Sequence, residues 1–310
     1  MIKVSIIGAG TIGSAIAYLL AQKGYYNLYL IEKPGVYHAS QKALDIMESL
    51  TILGSSIAYT IKGSDNIQDI KNSDILIIAA DDHAQGPEKM TNNSEIIDSI
   101  AESAKEHAPN AFVIVVTNPV DAMTWKFQKS SDFPEHRVIG LSGVLNAGSL
   151  RYLLSSALGV DVRDIHTAII GTHDQNMIPL LGYTTVSGMP LIDYMKQHNI
   201  NEEKINSVIE TTKVISKDHL CFAPAAAVLQ MIESYIFDQK RILTCSVNMN
   251  MTEPESDVCL GLPVVIGGQG VEEIYPIALS PKEEALLRKS INLLMDTNIA
   301  LEMSCKKLAS

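Results

Sequence analysis

The sequence predicts an α/β fold, in which a doubly wound parallel sheet is followed by an α+β domain. In the first half of the chain, short apolar segments alternate with helical patterns, and the apolar segments show no apolar–polar alternation. Strands of that kind are buried on both faces, as in a parallel sheet that helices cover. A glycine-rich turn also joins the first predicted strand to the first predicted helix, which is typical of doubly wound proteins.

Five strands and three helices are predicted in the first half. The predicted strands are Ile2–Ile7, Leu28–Ile31, Ile75–Ala79, Phe112–Thr117 and Val138–Gly140. The predicted helices are Ile12–Gln22, Ala39–Leu53 and Pro87–His107. The last of these begins with a proline, which suits the first turn of a helix.

From about residue 144 the pattern becomes that of a smaller α+β domain. The predicted helices are Val144–Leu158, Glu202–Ser216, Ala223–Phe237 and a last helix from Pro281. The predicted strands are Ile165–Ile170, Tyr183–Val186, Ile242–Asn248 and Val264–Ile266. We place the boundary near Gly143, which predicts one domain of residues 1–143 and a second of residues 144–310.

Composition excludes several classes of partner. The 310 residues include 24 basic and 35 acidic side chains, a formal net charge of −11. A field of that sign repels nucleic acid and anionic lipid. Neither a signal peptide nor an apolar stretch of ~18 residues is expected. The four cysteines lack zinc-type spacing, so we expect reduced thiols, no metal centre and a cytoplasmic location.

The glycine-rich turn predicts a dinucleotide site. Residues Gly8–Gly13 read GAGTIG, which fits G-x-G-x-x-G between a strand and a helix. In this motif Gly8 makes the tight turn, Gly10 lets the backbone approach a pyrophosphate, and Gly13 permits contact between helix and strand. The backbone N–H groups at Thr11 and Ile12 then face the phosphates.

Glu32 indicates which dinucleotide is bound. It ends the next strand, about twenty residues after the turn, where an acidic residue accepts hydrogen bonds from a ribose. Its charge would repel the 2′-phosphate of NADP, so the pattern predicts an NAD-binding Rossmann domain. A Rossmann-like fold that binds no dinucleotide is the alternative.

Further segments resemble the L-lactate/L-malate dehydrogenase family, in its malate-dehydrogenase-like branch. Thr117–Asp121 (TNPVD) and Gly171–Asp174 (GTHD) are similar to two of its motifs, as are Tyr183–Pro190, Ala223–Ala226 and Gly261–Gly267. The resemblance implies hydride transfer between NAD and a CH–OH or C=O group of a small molecule. It also implies a homodimer or homotetramer.

The resemblance assigns roles to three residues. His173 corresponds to the catalytic histidine, and an imidazole at a strand end can move the hydroxyl proton near neutral pH. Asn118 corresponds to the asparagine between nicotinamide and substrate. Ala79 opens the segment that corresponds to the family's T-A-G beside the cofactor.

The substrate-binding segment departs from the family pattern. The family reads L-D-x-x-R-x-R where this chain has Leu145–Arg151 (LNAGSLR). Asn146 stands in place of the acid that orients the histidine, and Ser149 in place of the arginine that holds the substrate carboxylate. Arg151 is retained, and Leu220 occupies a position where the family usually has a small residue.

The lid segment departs too. It is shorter than in the family, Asp81 stands where the family has glycine, and no arginine precedes Arg137. Two possibilities remain open. His83, Lys89 or His219 could supply the missing positive charge, and Asp174 could be a new partner of His173.

Three functions are compatible with these departures. The first is an active NAD-dependent oxidoreductase whose substrate is less charged than a 2-oxo acid. The second is a weakly active malate or lactate dehydrogenase whose arginine comes from elsewhere, such as another subunit. The third is a non-catalytic dinucleotide binder that senses redox state or serves in an assembly.

Overall fold

The protein is an α/β molecule built around one large sheet. The computed structural model describes residues 1–35, 38–55, 59–82, 84, 86–172, 176–214, 220–249 and 256–308. The strands of the first half are β1 (Ile2–Ile7), β2 (Tyr26–Ile31), β3 (Ile61–Ser64), β4 (Ile75–Ile78), β5 (Phe112–Val115) and β6 (Val138–Leu141). The helices there are α1 (Thr11–Lys23), α2 (Ala39–Ile52), α3 (Gly86–His107) and α4 (Val120–Ser131).

The second half adds eight strands and five helices to the described fold. The helices are α5 (Gly143–Leu158), α6 (Leu191–Gln197), α7 (Glu202–Val214), α8 (Phe222–Ile236) and α9 (Pro281–Leu308). The strands are β7 (Ile165–His166), β8 (Ile169–Ile170), β9 (Ile178–Pro179), β10 (Thr185–Val186), β11 (Met189–Pro190), β12 (Arg241–Asn248), β13 (Cys259–Gly267) and β14 (Gly270–Ile274).

The order of the nine-stranded sheet confirms the doubly wound prediction. It runs β14-β13-β12-β6-β5-β4-β1-β2-β3, and β1 to β6 are parallel. The direction of winding reverses at β1, which pairs with β2 on one side and β4 on the other. Ligands of such sheets bind beyond the carboxyl ends of the strands at this reversal.

Strand β12 continues the sheet in the antiparallel direction from β6. The two predicted domains therefore share one sheet, and their boundary near Gly143 stays a prediction.

Burial of β4 shows why its sequence lacks alternation. All four of its side chains are fully buried. Ile75 and Ile77 join the core that contains α1 and α8, whereas Leu76 and Ile78 join the core that contains α3 and α4. Among the described residues, no helix combines the length and apolar character needed to cross a lipid bilayer.

Several predicted elements were wrong in detail. The predicted strand Ile165–Ile170 is two short strands, because β7 pairs with β10 whereas β8 pairs with β9. The predicted strand Tyr183–Val186 begins at the end of a 3-10 helix, and only β10 within it is a strand. The predicted strand Val264–Ile266 is the middle of the longer β13, and β3 was not predicted.

The contact between α1 and the glycine turn leads to a stability prediction. A Cβ atom at Gly13 would lie 1.9 Å from the carbonyl oxygen of Gly8, so the backbone would have to move. Overpacking typically costs about 1–3 kcal/mol and occasionally more, and we expect Gly13→Ala to lower the free energy of unfolding in urea by at least ~3 kcal/mol. Gly182→Ala is the matched control, since nothing lies within 4 Å of its Cβ position. Equal stability of the two variants would contradict this packing.

Candidate active site

The turn after β1 lies directly against the segment after β4. Gly8 has a φ of +106°, and a Cβ atom there would lie 2.4 Å from the backbone nitrogen of Ala80 and 2.6 Å from the carbonyl oxygen of Ala79. The N–H of Ala79 donates to the carbonyl of Ile7 at 2.7 Å. Glycine is therefore required where these two segments meet at the sheet's reversal point.

The N-terminus of α1 is free to bind an anion. Gly10 is the N-cap residue and offers no side chain to the first turn, while Thr11 is exposed and Ile12 half-buried. The Ser14 hydroxyl donates to the carbonyl of Ala9 at 2.9 Å. The first N–H groups of a helix have no partner within the helix, so a phosphate can accept from them here.

The Glu32 carboxylate lies beside the same turn. Its Oε2 atom accepts the N–H of Ala9 at 2.8 Å, and its Oε1 atom accepts the N–H of Lys33 at 2.8 Å. A carboxylate has about four acceptor positions, so Glu32 can still accept from ribose hydroxyls. The glycine turn, the α1 N-terminus and Glu32 together fit a dinucleotide.

A small, partly open cleft lies next to this turn. Its walls come from α1, the segment after β5, the end of β6, and the first turns of α5 and α8. The lining residues are Ile12, Val116, Asn118, Leu141, Leu145, Leu220 and Pro224. A cleft lined by six apolar residues and one polar residue can accept a flat ring and a small substrate. Sequence reasoning missed four of these residues (Val116, Leu141, Leu145 and Pro224), because buried apolar residues carry no chemical signature.

Asn118 is the one polar residue among the described residues that line the cleft. It is exposed and precedes Pro119 through a cis peptide bond. The carbonyl of Asn118 accepts a hydrogen bond from the Nδ2 atom of Asn93 at 2.7 Å. Thr117 is buried, and its hydroxyl donates to the carbonyl of Ala80 at 2.6 Å. The segments after β4 and β5 are therefore joined by hydrogen bonds at the cleft.

Asn93 on α3 is fully buried and connects three parts of this region. Its Nδ2 atom also donates to Oδ1 of Asp81 at 2.6 Å, and its Oδ1 atom accepts the N–H of Asp82 at 2.8 Å. No functional role is predicted for Asn93 from the sequence. Helical periodicity could have placed it on the buried face of α3, because it shares a stripe with Ile97 and Ile100.

The carboxylate of Asp81 is paired on both oxygens. Besides the hydrogen bond from Asn93, its Oδ2 atom lies 2.7 Å from Nζ of Lys89, and the two side chains are 41% and 30% exposed. The extra negative charge that Asp81 brings to this segment is therefore offset by a neighbouring cation.

Asn146 lies in the first turn of α5, next to the cleft residue Leu145. It is 3% exposed, and its Nδ2 atom has no hydrogen-bond partner among the described residues. Helix α5 packs closely on β8, since a Cβ atom at Gly143 would lie 2.1 Å from the carbonyl oxygen of Ile169. Asn146 thus belongs to an element that contacts the strand preceding His173.

The other predicted residues of α5 lie apart from the cleft lining. Ser149 is half-buried and does not line the cleft. Arg151 donates through Nη2 to the carbonyl of Val162 at 3.1 Å, and its Nε atom is buried without a partner in the described structure.

The predicted catalytic histidine, His173, lies outside the described residues, as do His83, Asp174 and His219. The chain approaches position 173 through Gly171, which exchanges two backbone hydrogen bonds of 2.9 Å with Gly261 on β13. Within the described ranges, no group of three His, Cys, Asp or Glu side chains could hold a metal ion.

The connections of Asn93 lead to a second stability prediction. Asn93→Ala removes three hydrogen bonds made by a fully buried amide, to Asp81, Asp82 and Asn118, and each hydrogen bond contributes about 0.5–1.5 kcal/mol. We expect the free energy of unfolding to fall by about 2–4 kcal/mol in urea titrations. The control is Asn92→Ala, which removes one partly exposed hydrogen bond of 3.2 Å to Asp82. If Asn92→Ala lowers the free energy of unfolding as much as Asn93→Ala does, the proposed importance of the Asn93 hydrogen bonds is contradicted.

Comparisons with known proteins identify the family. The model for the lactate/malate dehydrogenase NAD binding domain matches residues 2–140, and that for the lactate/malate dehydrogenase alpha/beta C-terminal domain matches residues 145–302. The malate dehydrogenase of Pelagibacter ubique is 37% identical over 304 residues, which cover 94% of each chain. The malate dehydrogenase of Neorickettsia sennetsu is also 37% identical, over 305 residues covering 93% of this chain and 95% of that one.

Solved structures agree with the sequence relatives. The malate dehydrogenase of Cryptosporidium parvum superposes with a TM-score of 0.91 at 35% identity, over 97% of this chain and 99% of that chain. A lactate dehydrogenase of the same organism, complexed with lactic acid and nicotinamide adenine dinucleotide, gives 0.89 at 33% identity, over 97% and 98%. Nothing in these comparisons favours a non-catalytic dinucleotide binder. The chain belongs to the lactate/malate dehydrogenase family and is an NAD-dependent oxidoreductase of that type.

Proposed function

We propose that this dehydrogenase transfers a hydride between NAD and a small CH–OH or C=O compound that carries no carboxylate at the reacting end, with weak activity on malate or lactate. The observation that carries the proposal is the placement of the arginines. All five of them lie in the described part of the chain, and none lines the cleft.

Each of the five arginine side chains is located away from the cleft lining. Arg241 is exposed at the start of β12, and the other four have partners away from the cleft. Those pairs are Arg137 with Asn110, Arg151 with the carbonyl of Val162, Arg163 with Asp161, and Arg288 with Glu284. Truncating a buried charge pair costs about 2–5 kcal/mol, and the bidentate arginine–carboxylate contact is among the strongest. A 2-oxo acid therefore gains far less binding free energy in this cleft than it would in a cleft where an arginine binds its carboxylate.

The proposed roles follow from the chemistry of the reaction. His173 takes the hydroxyl proton during oxidation and returns it during reduction. Bound NAD supplies the partner that takes up or releases the hydride at its nicotinamide ring. The Asn118 side chain, exposed at the cleft, donates to the substrate oxygen. The turn Gly8–Gly13, Ala79 and Glu32 hold the cofactor, while Leu220 makes the substrate end of the cleft apolar.

Asn146 has a proposed positioning role toward His173. It is neutral, so it cannot stabilise an imidazolium as a carboxylate does, and its unpartnered Nδ2 atom can donate but not accept. In a serine protease the corresponding Asp-to-Asn change lowers the rate about 10⁴-fold through the wrong tautomer. Slow turnover is the expected consequence here.

Other features of the proposal concern organisation. Residues 1–143 bind the cofactor, and residues 144–310 supply the histidine and the substrate end of the cleft. We place the protein in the cytoplasm. We also propose that it forms a homodimer or homotetramer, and exposed apolar side chains on α2 and α8 support such an interface. Ile52 is 85% exposed and Phe222 is 78% exposed.

The central experiment compares charged and uncharged carbonyl substrates. Purified protein with saturating NADH is offered oxaloacetate, pyruvate, methyl pyruvate and neutral ketones, and NADH absorbance is followed. We expect kcat/KM to be higher for methyl pyruvate than for pyruvate. The double variant Asn146→Asp, Ser149→Arg should raise kcat/KM for 2-oxo acids at least tenfold, because one charged contact is worth more than about 1.4 kcal/mol.

Two results would contradict the proposal. Efficient oxaloacetate reduction by the unmodified protein would show that a carboxylate-binding cation exists in the working assembly. If calorimetry shows that NADH binds but no carbonyl compound is reduced, the protein is a dinucleotide binder rather than an enzyme. The single variants Asn146→Asp and Ser149→Arg serve as controls, because each restores only one part of the charge arrangement.

The role of His173 has its own test. We expect His173→Asn to lower kcat by about 10²–10⁴-fold, the usual contribution of a positioned acid/base, and to leave the NADH dissociation constant unchanged. His166→Asn is the control, since His166 is exposed on β7. Retained turnover in the His173 variant would remove it from the mechanism.

A further inference from the structure

The segment after β4 brings a carboxylate close to the backbone of Asn118, a residue that lines the cleft. Asp81 directly follows Ala80, whose backbone crosses Gly8. The same Asn93 nitrogen donates to the Asp81 carboxylate at 2.6 Å and to the carbonyl of Asn118 at 2.7 Å. The Asp81 carboxylate is therefore one bridging nitrogen away from the backbone of a residue that lines the cleft.

A lysine side chain lies beside this carboxylate. Lys89 lies in the first turns of α3, and its Nζ atom is 2.7 Å from Oδ2 of Asp81. Lys89 is thus a basic side chain placed close to the segment where the family carries lid arginines. Both side chains are less than half exposed, so solvent screens their charges only in part.

A hydrogen bond from the buried Asn93 side chain also fixes the orientation of the Asp81–Lys89 pair. Because Asn93 is fully buried and binds the second oxygen of Asp81, the carboxylate cannot swing into solvent without leaving a buried donor unpaired. The neighbouring Asp82 is tied down as well, since its N–H donates to Asn93 and its Oδ1 atom accepts the N–H of Ala84 at 2.7 Å.

We propose that Asp81 is a specificity-determining residue, which neutralises Lys89 and so makes the cleft select uncharged carbonyl substrates over carboxylates. Because Lys89 is paired with Asp81, it offers an anionic substrate no net positive charge. A neutral substrate is indifferent to both charges. The inference rests on the proposed function and assigns the rejection of anions to one residue.

The test replaces Asp81 by its uncharged isostere. In Asp81→Asn the amide oxygen still accepts from Asn93, while Lys89 is released to attract an anion. At saturating NADH, kcat/KM is measured for pyruvate and for methyl pyruvate. We expect the ratio of pyruvate to methyl pyruvate to rise about tenfold, the effect of one charge acting over several ångströms in a partly screened site. Lys89→Met should lower the same ratio.

A binding measurement gives a readout that does not depend on turnover. Calorimetric titration with oxamate and with its methyl ester, in the presence of NADH, should show that Asp81→Asn tightens oxamate about tenfold and leaves the ester unchanged. Raising the salt concentration to ~1 M, where the Debye length falls to about 3 Å, should reduce the difference.

Asp98→Asn is the matched control. It removes the same charge from α3, the helix that carries Lys89, but Asp98 pairs with Lys126 of α4 at 2.9 Å, more than two turns from Lys89. An unchanged ratio in Asp81→Asn, or an equal change in Asp98→Asn, overturns the inference while the proposed function stands. Absence of NADH binding, or of turnover on both substrates, overturns the proposed function and the inference with it. If Asp81→Asn does not fold, the Lys89→Met ratio decides in its place.

Discussion

Close backbone packing at the point where the sheet reverses direction is the constraint on which this active site depends. Strand β1 is hydrogen-bonded on both sides, so its carboxyl end opens between β2 and β4. The chain can cross there only because Gly8 and Gly13 lack side chains. This contact leaves the first N–H groups of α1 facing an open crevice with Glu32 at its edge, and a helix N-terminus beside a carboxylate suits a phosphate and a ribose.

A second level of organisation is polar and buried. Asn93 links the segment after β4, the helix α3 and the turn that carries Asn118. Because an unpaired donor or acceptor in the interior is costly, this single amide holds three backbone segments in one arrangement. The family uses arginines near this region, whereas this chain places Asp81 and Lys89 there as a closed pair. The charge of this segment therefore depends on pairing inside the protein as well as on which residues are present.

The fold was largely predictable, and the errors have physical causes. Uninterrupted apolar strands such as β4 are buried on both faces, and that pattern is visible in sequence. Strand β3 was missed because it is a four-residue edge strand with only Ile61 buried. The segment 165–170 was read as one strand because its residues are largely apolar, yet its two halves pair with different partners. Pairing partners distant in sequence are not encoded in local pattern.

The sequence by itself determined the class of sheet, the dinucleotide turn, the family, and the absence of an arginine before Arg137. Each of these depends on local pattern or on residue identity. Only the tertiary structure decided that Asn93 joins the cleft elements, that the Asp81 carboxylate is neutralised by Lys89, and that Arg151 donates to the carbonyl of Val162. These outcomes depend on the directions of side chains on elements brought together by folding, which no local spacing specifies.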